Sequence, residues 1–179
     1  MRAFDGKHIP SKKFKDNYND IFKKDGTITA ANASKLNDGA AVLLIASDSK
    51  AKELGIKPLA RIIAHASVAH EPEWFTTAPS KAIDKVLLKT NLVSDDIDLW
   101  ELNEAFAVVV LRYLEHMGID HSQINVNGGA IAMGHPLGAT GAMILGTVLD
   151  ELERTNKSTA LATLCVGGGM GTATVIERV

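Results

Sequence analysis

Cys165 is the only cysteine in a chain of 179 residues. It stands where an apolar run, Leu161-Ala162-Thr163-Leu164, meets the cluster Gly167-Gly168-Gly169-Met170-Gly171. His135 lies in a second glycine-rich stretch, 127–138, between Gly134 and Pro136. A thiol and an imidazole placed in this way can take protons from a substrate and return them, with the thiolate stabilised by nearby dipoles or by the imidazole. Glycines also leave backbone N–H groups uncovered, so those around Gly167 could receive a substrate oxyanion. A plainer reading stands beside each residue. A free cysteine at a strand end is often a small buried hydrophobe, and a lone histidine is often structural or solvated. The flanking glycines favour the functional reading, because a core histidine has no use for them. Asn103-Glu104 is a third candidate. It could hold a water or a carbonyl facing the site, or it could be a helix N-cap followed by a first-turn acid.

These residues need a scaffold, and the sequence outlines one. Residues 1–26 are rich in Lys and Asp without a sustained period, which suggests a surface arm with one helical turn. Residues 40–46 form a continuous apolar run that fits a strand buried on both faces. Ser47 or Asp48 then caps a short helix that Gly55 ends. Strands follow at 59–66, 97–102, 124–127, 160–165 and 172–177. Helices are expected at 79–90, from Asn103 to Gly118, and from Pro136 to 154. The order from 59 onward, βαβαβαββ, implies an α/β fold with a mixed, mostly parallel sheet and helices on both faces. Ligands in such sheets gather at the carboxyl ends of the strands, and Asn103, His135 and Cys165 all fall there.

Composition narrows the function class. The chain is 46% hydrophobic and 22% charged, with a net charge of −2. That suits a globular protein with an aliphatic core and gives no electrostatic reason to expect nucleic acid or a membrane as partner. The longest apolar run, 105–111, is too short to cross a bilayer. One cysteine makes no internal disulfide and, with dispersed histidines, no structural zinc site. No secretory or peroxisomal signal is evident, and a cytoplasmic location is expected, with a mitochondrial one left open. The stretch 129–135 carries His where a phosphate loop needs Lys, and Thr172 stands where a dinucleotide fingerprint needs its third glycine.

Four blocks together resemble the thiolases, in particular the acetyl-CoA acetyltransferase branch. They are the stretch 29–41, Asn103-Glu104-Ala105-Phe106-Ala107, the stretch 127–141, and Cys165-Val166-Gly167-Gly168-Gly169-Met170-Gly171. The resemblance implies an acyltransferase that makes or breaks a carbon–carbon bond in CoA thioesters, without a prosthetic group. His135 would activate the nucleophilic thiol and, with a water held by Asn103, stabilise the enolate oxygen of acetyl-CoA. Cys165 would move the α-proton, and the Gly167 N–H would support the oxyanion at the acyl-enzyme. Ser34 would touch the pantetheine arm of CoA, and Phe75 would line the acyl pocket. Potassium bound by the backbone around Ala30, Ala31 and Ala33 is allowed by the resemblance.

The departure from the family is as informative. Thiolases are roughly twice this length, and the cysteine that carries their acyl group lies in the first half. This chain has no second cysteine. The resemblance thus implies a remnant of the loop region at 1–37, a strand and helix completing the missing amino-terminal domain at 38–58, and the carboxy-terminal domain at 59–179. It implies an amino-terminal thiolase half as partner, a dimer or tetramer as the assembly, and no activity for this chain alone. Separated from its sheet, the run 40–46 would expose several aliphatic side chains. Two other readings remain: a degradative 3-ketoacyl-CoA thiolase portion, and a non-catalytic CoA-binding or interaction subunit.

Overall fold

The computed structural model describes residues 26–179, so the expected arm at 1–26 lies almost wholly outside the described residues. The sheet has four strands: β1 (Ala60–Ala69), β2 (Leu99–Leu102), β3 (Thr159–Val166) and β4 (Met170–Arg178). Their spatial order is β1-β4-β3-β2. β1 and β3 each run antiparallel to β4, whereas β2 runs parallel to β3 with Leu102 opposite Thr163. The sheet is therefore mixed, as the sequence implies, but it is not mostly parallel: two of its three pairings are antiparallel, because β4 returns through the 167–169 hairpin and lies between β3 and β1.

Alternation along the strands sorts side chains onto two faces. Trp100, Leu102, Leu161 and Val175 pack on one face with Ile83 and Val86 of α2 (Ala78–Thr90) and Val109 and Tyr113 of α3 (Ala107–Met117). Leu99, Ala160 and Ile176 point the other way, against Val148 and Leu152 of α5 (Thr140–Thr155). Two shorter helices complete the set, α1 (Asp48–Glu53) and α4 (Ala130–Met133). Left-handed residues end several of these helices: Asn91 after α2, Gly118 after α3 and Asn156 after α5. α1 starts at Ser47, whose hydroxyl accepts from the Lys50 N–H at 3.2 Å, and Gly55 at φ 64° follows its end.

Four further expectations need correction. The strand expected at 124–127 is reduced to one bridge between Ile124 and Trp100. Asn125 turns into the left-handed region at φ 47°. Its side-chain amide then replaces the ladder, accepting from the Leu102 N–H at 2.8 Å and donating to the Leu102 carbonyl at 2.9 Å. The helix expected from Asn103 begins instead at Ala107, with Phe106 at its N-cap, because the Asn103 side chain is committed elsewhere. The helix expected from Pro136 begins at Thr140, one turn later; the Pro136 carbonyl first accepts the Ala139 N–H in a tight turn.

The fourth correction concerns residues 40–46, which form no strand. A strand buried on both faces needs neighbours on both edges, and this segment has none among the described residues. Val42 is 93% exposed and Leu44 81%, and Ile45 is also open. Covering each such side chain would contribute about 1.5–3 kcal/mol. Ile62 lies half-exposed on the edge strand β1 opposite Ile176, beyond the cover of α5.

Candidate active site

The site forms where the carboxyl ends of β2 and β3 lie side by side. The Asn103 N–H donates to the Thr163 carbonyl at 3.0 Å, which carries the pairing one residue past β2. Asn103 is only 1% exposed. Its Nδ2 lies 3.3 Å from Nε2 of His135, and Nδ1 of His135 lies 2.7 Å from the Thr140 hydroxyl. That hydroxyl in turn donates to the Pro136 carbonyl at 3.1 Å. The direction of this chain fixes the tautomer. An amide N–H facing Nε2 requires a lone pair there, so the ring proton sits on Nδ1 and is held by Thr140. Burial also pushes the His135 imidazole below its ordinary value, which favours the neutral form. His135 thus presents an unprotonated Nε2, the form required of a general base.

A strap of chain binds the two loops that carry these residues. Ser34 donates its N–H to the Ala105 carbonyl at 3.0 Å, and its hydroxyl meets the same oxygen at 3.2 Å. One residue on, the Lys35 carbonyl accepts the His135 N–H at 2.8 Å, and Leu36 bridges to His135. Gly134 adopts φ 95° against the Asn37 side chain, where a Cβ would collide. Ser34 therefore stands beside the Asn103 loop.

Glu104 is not a first-turn acid of α3, which begins at Ala107. Its carboxylate accepts from Asn125 Nδ2 at 2.9 Å and from the Ile131 N–H at 3.1 Å, tying the β2 loop to α4. Gly129 is required by this tie, since a Cβ there would strike the carboxyl group.

Cys165 lies two residues beyond Thr163 on β3, opposite Gly171 of β4, and is partly buried. Burial pushes its thiol up to about 11, so it is protonated at neutral pH, and the stabilised thiolate expected from the sequence is not found, because desolvation outweighs the nearby dipoles. The glycine cluster divides into two groups. Gly168 and Gly169 take φ 87° and 84° in the hairpin; a Cβ on Gly169 would strike the His70 carbonyl, and one on Gly171 the backbone of Ala78. Gly167 has no such requirement: its φ is ordinary and nothing lies within 4 Å of a Cβ built on it. It is exposed at the head of the turn. Phe75, in the 3₁₀ segment Pro72–Thr77, meets Phe106 edge-on with ring centroids 6.3 Å apart. That contact places it next to the loop carrying Asn103.

The structure thus brings Asn103 and His135 into contact, puts Ser34 and Phe75 against the 103–106 loop, and carries Cys165 and Gly167 to the same sheet end on the neighbouring strand. Sequence reasoning missed Thr140 and Glu101. Thr140 follows His135 by one tight turn, and the turn was concealed by placing the helix start at Pro136. Glu101 was legible as a lone acid in the apolar strand Leu99-Trp100-Glu101-Leu102.

Comparison with known proteins follows the same lines. The family model described as "Thiolase, C-terminal domain" matches residues 56–178, and "Thiolase, N-terminal domain" matches residues 14–49. Acetyl-CoA acetyltransferase from Allochromatium vinosum is 50% identical over 157 residues, covering 88% of this chain and 40% of that protein. The protein of the same name from Schizosaccharomyces pombe is 47% identical over 159 residues, covering 89% and 40%. Among solved structures, the Bacillus anthracis acetyl-CoA acetyltransferase superposes with a TM-score of 0.88 at 42% identity, covering 93% of this chain and 42% of that one. Human mitochondrial 3-ketoacyl-CoA thiolase gives 0.84 at 37% identity over the same shares. The chain spans about 40% of the length of the curated relatives it matches. On the match over 56–178, the chain belongs to the thiolase family.

Proposed function

We propose that this chain is the carboxy-terminal part of an acetyl-CoA C-acetyltransferase, an acyltransferase of lipid metabolism that needs an amino-terminal part for its nucleophilic cysteine. The reaction is the Claisen condensation of two acetyl-CoA molecules to acetoacetyl-CoA and CoA, or its reversal by thiolysis. The observation that carries this reading is the relay from Asn103 through His135 to Thr140, which leaves Nε2 of the imidazole unprotonated.

His135 takes the proton of the attacking thiol and, with a water held by Asn103, stabilises the enolate oxygen. Cys165 moves the α-proton, and the Gly167 N–H, which no side chain covers, supports the oxyanion of the acyl-enzyme. Ser34 contacts the pantetheine arm of CoA, and Phe75 shapes the acyl pocket. Covalent catalysis requires the nucleophile itself, so the chain alone does not turn over. Residues 38–58 complete the amino-terminal half's domain. The exposed Val42, Leu44 and Ile45 support this, as they lack cover within the described residues. A dimer or tetramer, potassium at the backbone around Ala30, Ala31 and Ala33, and a cytoplasmic or mitochondrial location belong to the same reading. No helix among the described residues is long and apolar enough to cross a membrane.

A second reading, a degradative 3-ketoacyl-CoA thiolase, draws on the 0.84 superposition on the human mitochondrial enzyme, which is lower than the 0.88 on the acetyl-CoA acetyltransferase. The test combines this chain with an amino-terminal half and compares cleavage of acetoacetyl-CoA with longer 3-ketoacyl-CoA substrates. Faster cleavage of acetoacetyl-CoA is expected, and faster cleavage of the longer chains would favour the second reading. CoA binding without any cleavage in the combined protein would point to a non-catalytic subunit.

A further inference from the structure

Behind the Asn103–His135 pair lies a polar group that the proposed mechanism does not use. Glu101 is 4% exposed in the middle of β2. It stands two residues before Asn103, so both side chains project from the same face of the strand, toward α5. Both line one small, partly open cavity of about 30 Å³, with Met133, Thr140, Met143 and Thr147 among its other walls. Asn103 Oδ1 is buried with no hydrogen-bond partner among the described residues. A buried amide oxygen left unpartnered is destabilising, and this oxygen decides how the amide is turned. If the amide flipped, Oδ1 would face the lone pair of His135 Nε2.

We propose that Glu101 is a positioning residue: its carboxyl group donates a hydrogen bond, through one water in this cavity, to Asn103 Oδ1, and so holds Nδ2 toward His135. A cavity of this size suits one water, which needs two to four polar partners. The Glu101 carboxyl, Asn103 Oδ1 and the Thr147 hydroxyl supply three. For the carboxyl group to donate it must keep its proton. Burial, with the Glu104 carboxylate nearby, pushes Glu101 up to about 8. Among the described residues that line the cavity there is no cation to oppose this. The α5 residues facing the cavity are Thr140, Met143, Ile144 and Thr147, the β3 neighbour is Ala162, and His135 is held neutral. Glu151, further along α5, is engaged by Arg154 and Asn127.

The inference concerns the site assigned under Proposed function, and its consequence for turnover rests on that reading, but its test does not. The full chain is labelled with ¹³C at glutamate side chains and ¹⁵N at histidine, and examined by NMR in slightly acidic solution. A protonated glutamate carboxyl is expected in the wild type and absent in Glu101→Gln. His135 is expected as the single Nδ1–H tautomer in the wild type and in Glu101→Gln, whose amide N–H can still donate. Glu101→Met is expected to show a mixture of tautomers. An ionised Glu101, or an unchanged tautomer in Glu101→Met, overturns the proposal. Should Glu101→Met fail to fold, the wild-type carboxyl signal decides alone. In the combined enzyme, Glu101→Met is expected to lower kcat about tenfold at constant KM. Absence of wild-type turnover there would contradict the function and leave the NMR result standing.

Discussion

The Asn103 amide meets the His135 imidazole at 3.3 Å, Nδ2 to Nε2, while the opposite ring nitrogen is held by Thr140 at 2.7 Å. The ring is thus gripped from both sides, in one tautomer and one orientation. Thr140 carries the grip on the Nδ1 side. Thr140→Val keeps the shape and removes the hydroxyl, leaving Nδ1–H without its acceptor. Denaturant unfolding should show a loss of about 1–3 kcal/mol, with Thr140→Ser close to the wild type. Equal losses in both variants would mean that the hydroxyl is idle.

Glu101 makes stability depend on pH in a direction unusual for an acid. Its carboxyl, pushed up to about 8 in the fold, has an ordinary value of about 4.3 when unfolded. Between these values the unfolded chain has released a proton that the folded chain retains, so stability falls as pH rises through the window. Glu101→Gln should flatten that slope in unfolding experiments run from about pH 4 to pH 8. An unchanged slope would show that Glu101 ionises normally in the fold.

Burial raises the Cys165 thiol to about 11, and alkylation follows the thiolate. Iodoacetamide should therefore react slowly with the chain near neutral pH, at a rate still climbing about tenfold per pH unit past about pH 9. A plateau below that would reveal an activated thiolate in the isolated chain.

The glycine cluster can be separated by substitution. Gly167→Ala meets open space and an ordinary φ, so thermal unfolding should be nearly unchanged. Gly169→Ala must adopt φ 84° and strike the His70 carbonyl, which should cost at least about 2 kcal/mol. In the combined enzyme, a Gly167→Ala protein that folds yet turns over more slowly would link its N–H to the oxyanion. A reversed order of stabilities would contradict the geometry of the hairpin.

Much of this was legible in the chain, for identifiable reasons. Strands β3 and β4 and helix α2 carry long apolar patterns with clear ends, such as Pro79 and the 167–169 turn, and local pattern matches final packing there. The failures occur where side chains substitute for backbone. Asn125 replaces a strand ladder with its amide, and Asn103 gives up a capping role to face His135. Neither choice can be read from periodicity, because each depends on a partner 23 or 32 residues away in sequence. Glu104 misled for the same reason, since its partners, Asn125 and Ile131, come from the loop before α4 and from α4 itself. The run 40–46 shows a different limit. Its pattern specifies a buried strand, and the described residues offer no sheet to receive it.

The central claim is that Asn103, His135 and Cys165 are half of an active site completed by a cysteine from an amino-terminal part. The most direct measurement is acetoacetyl-CoA thiolysis by this chain alone, by the chain combined with an amino-terminal half, and by the same combination carrying Cys165→Ala. The account predicts no turnover alone, turnover in combination, and a loss of about 10²–10⁴-fold in the variant. Turnover by the chain alone, or an unchanged rate in Cys165→Ala, would contradict it.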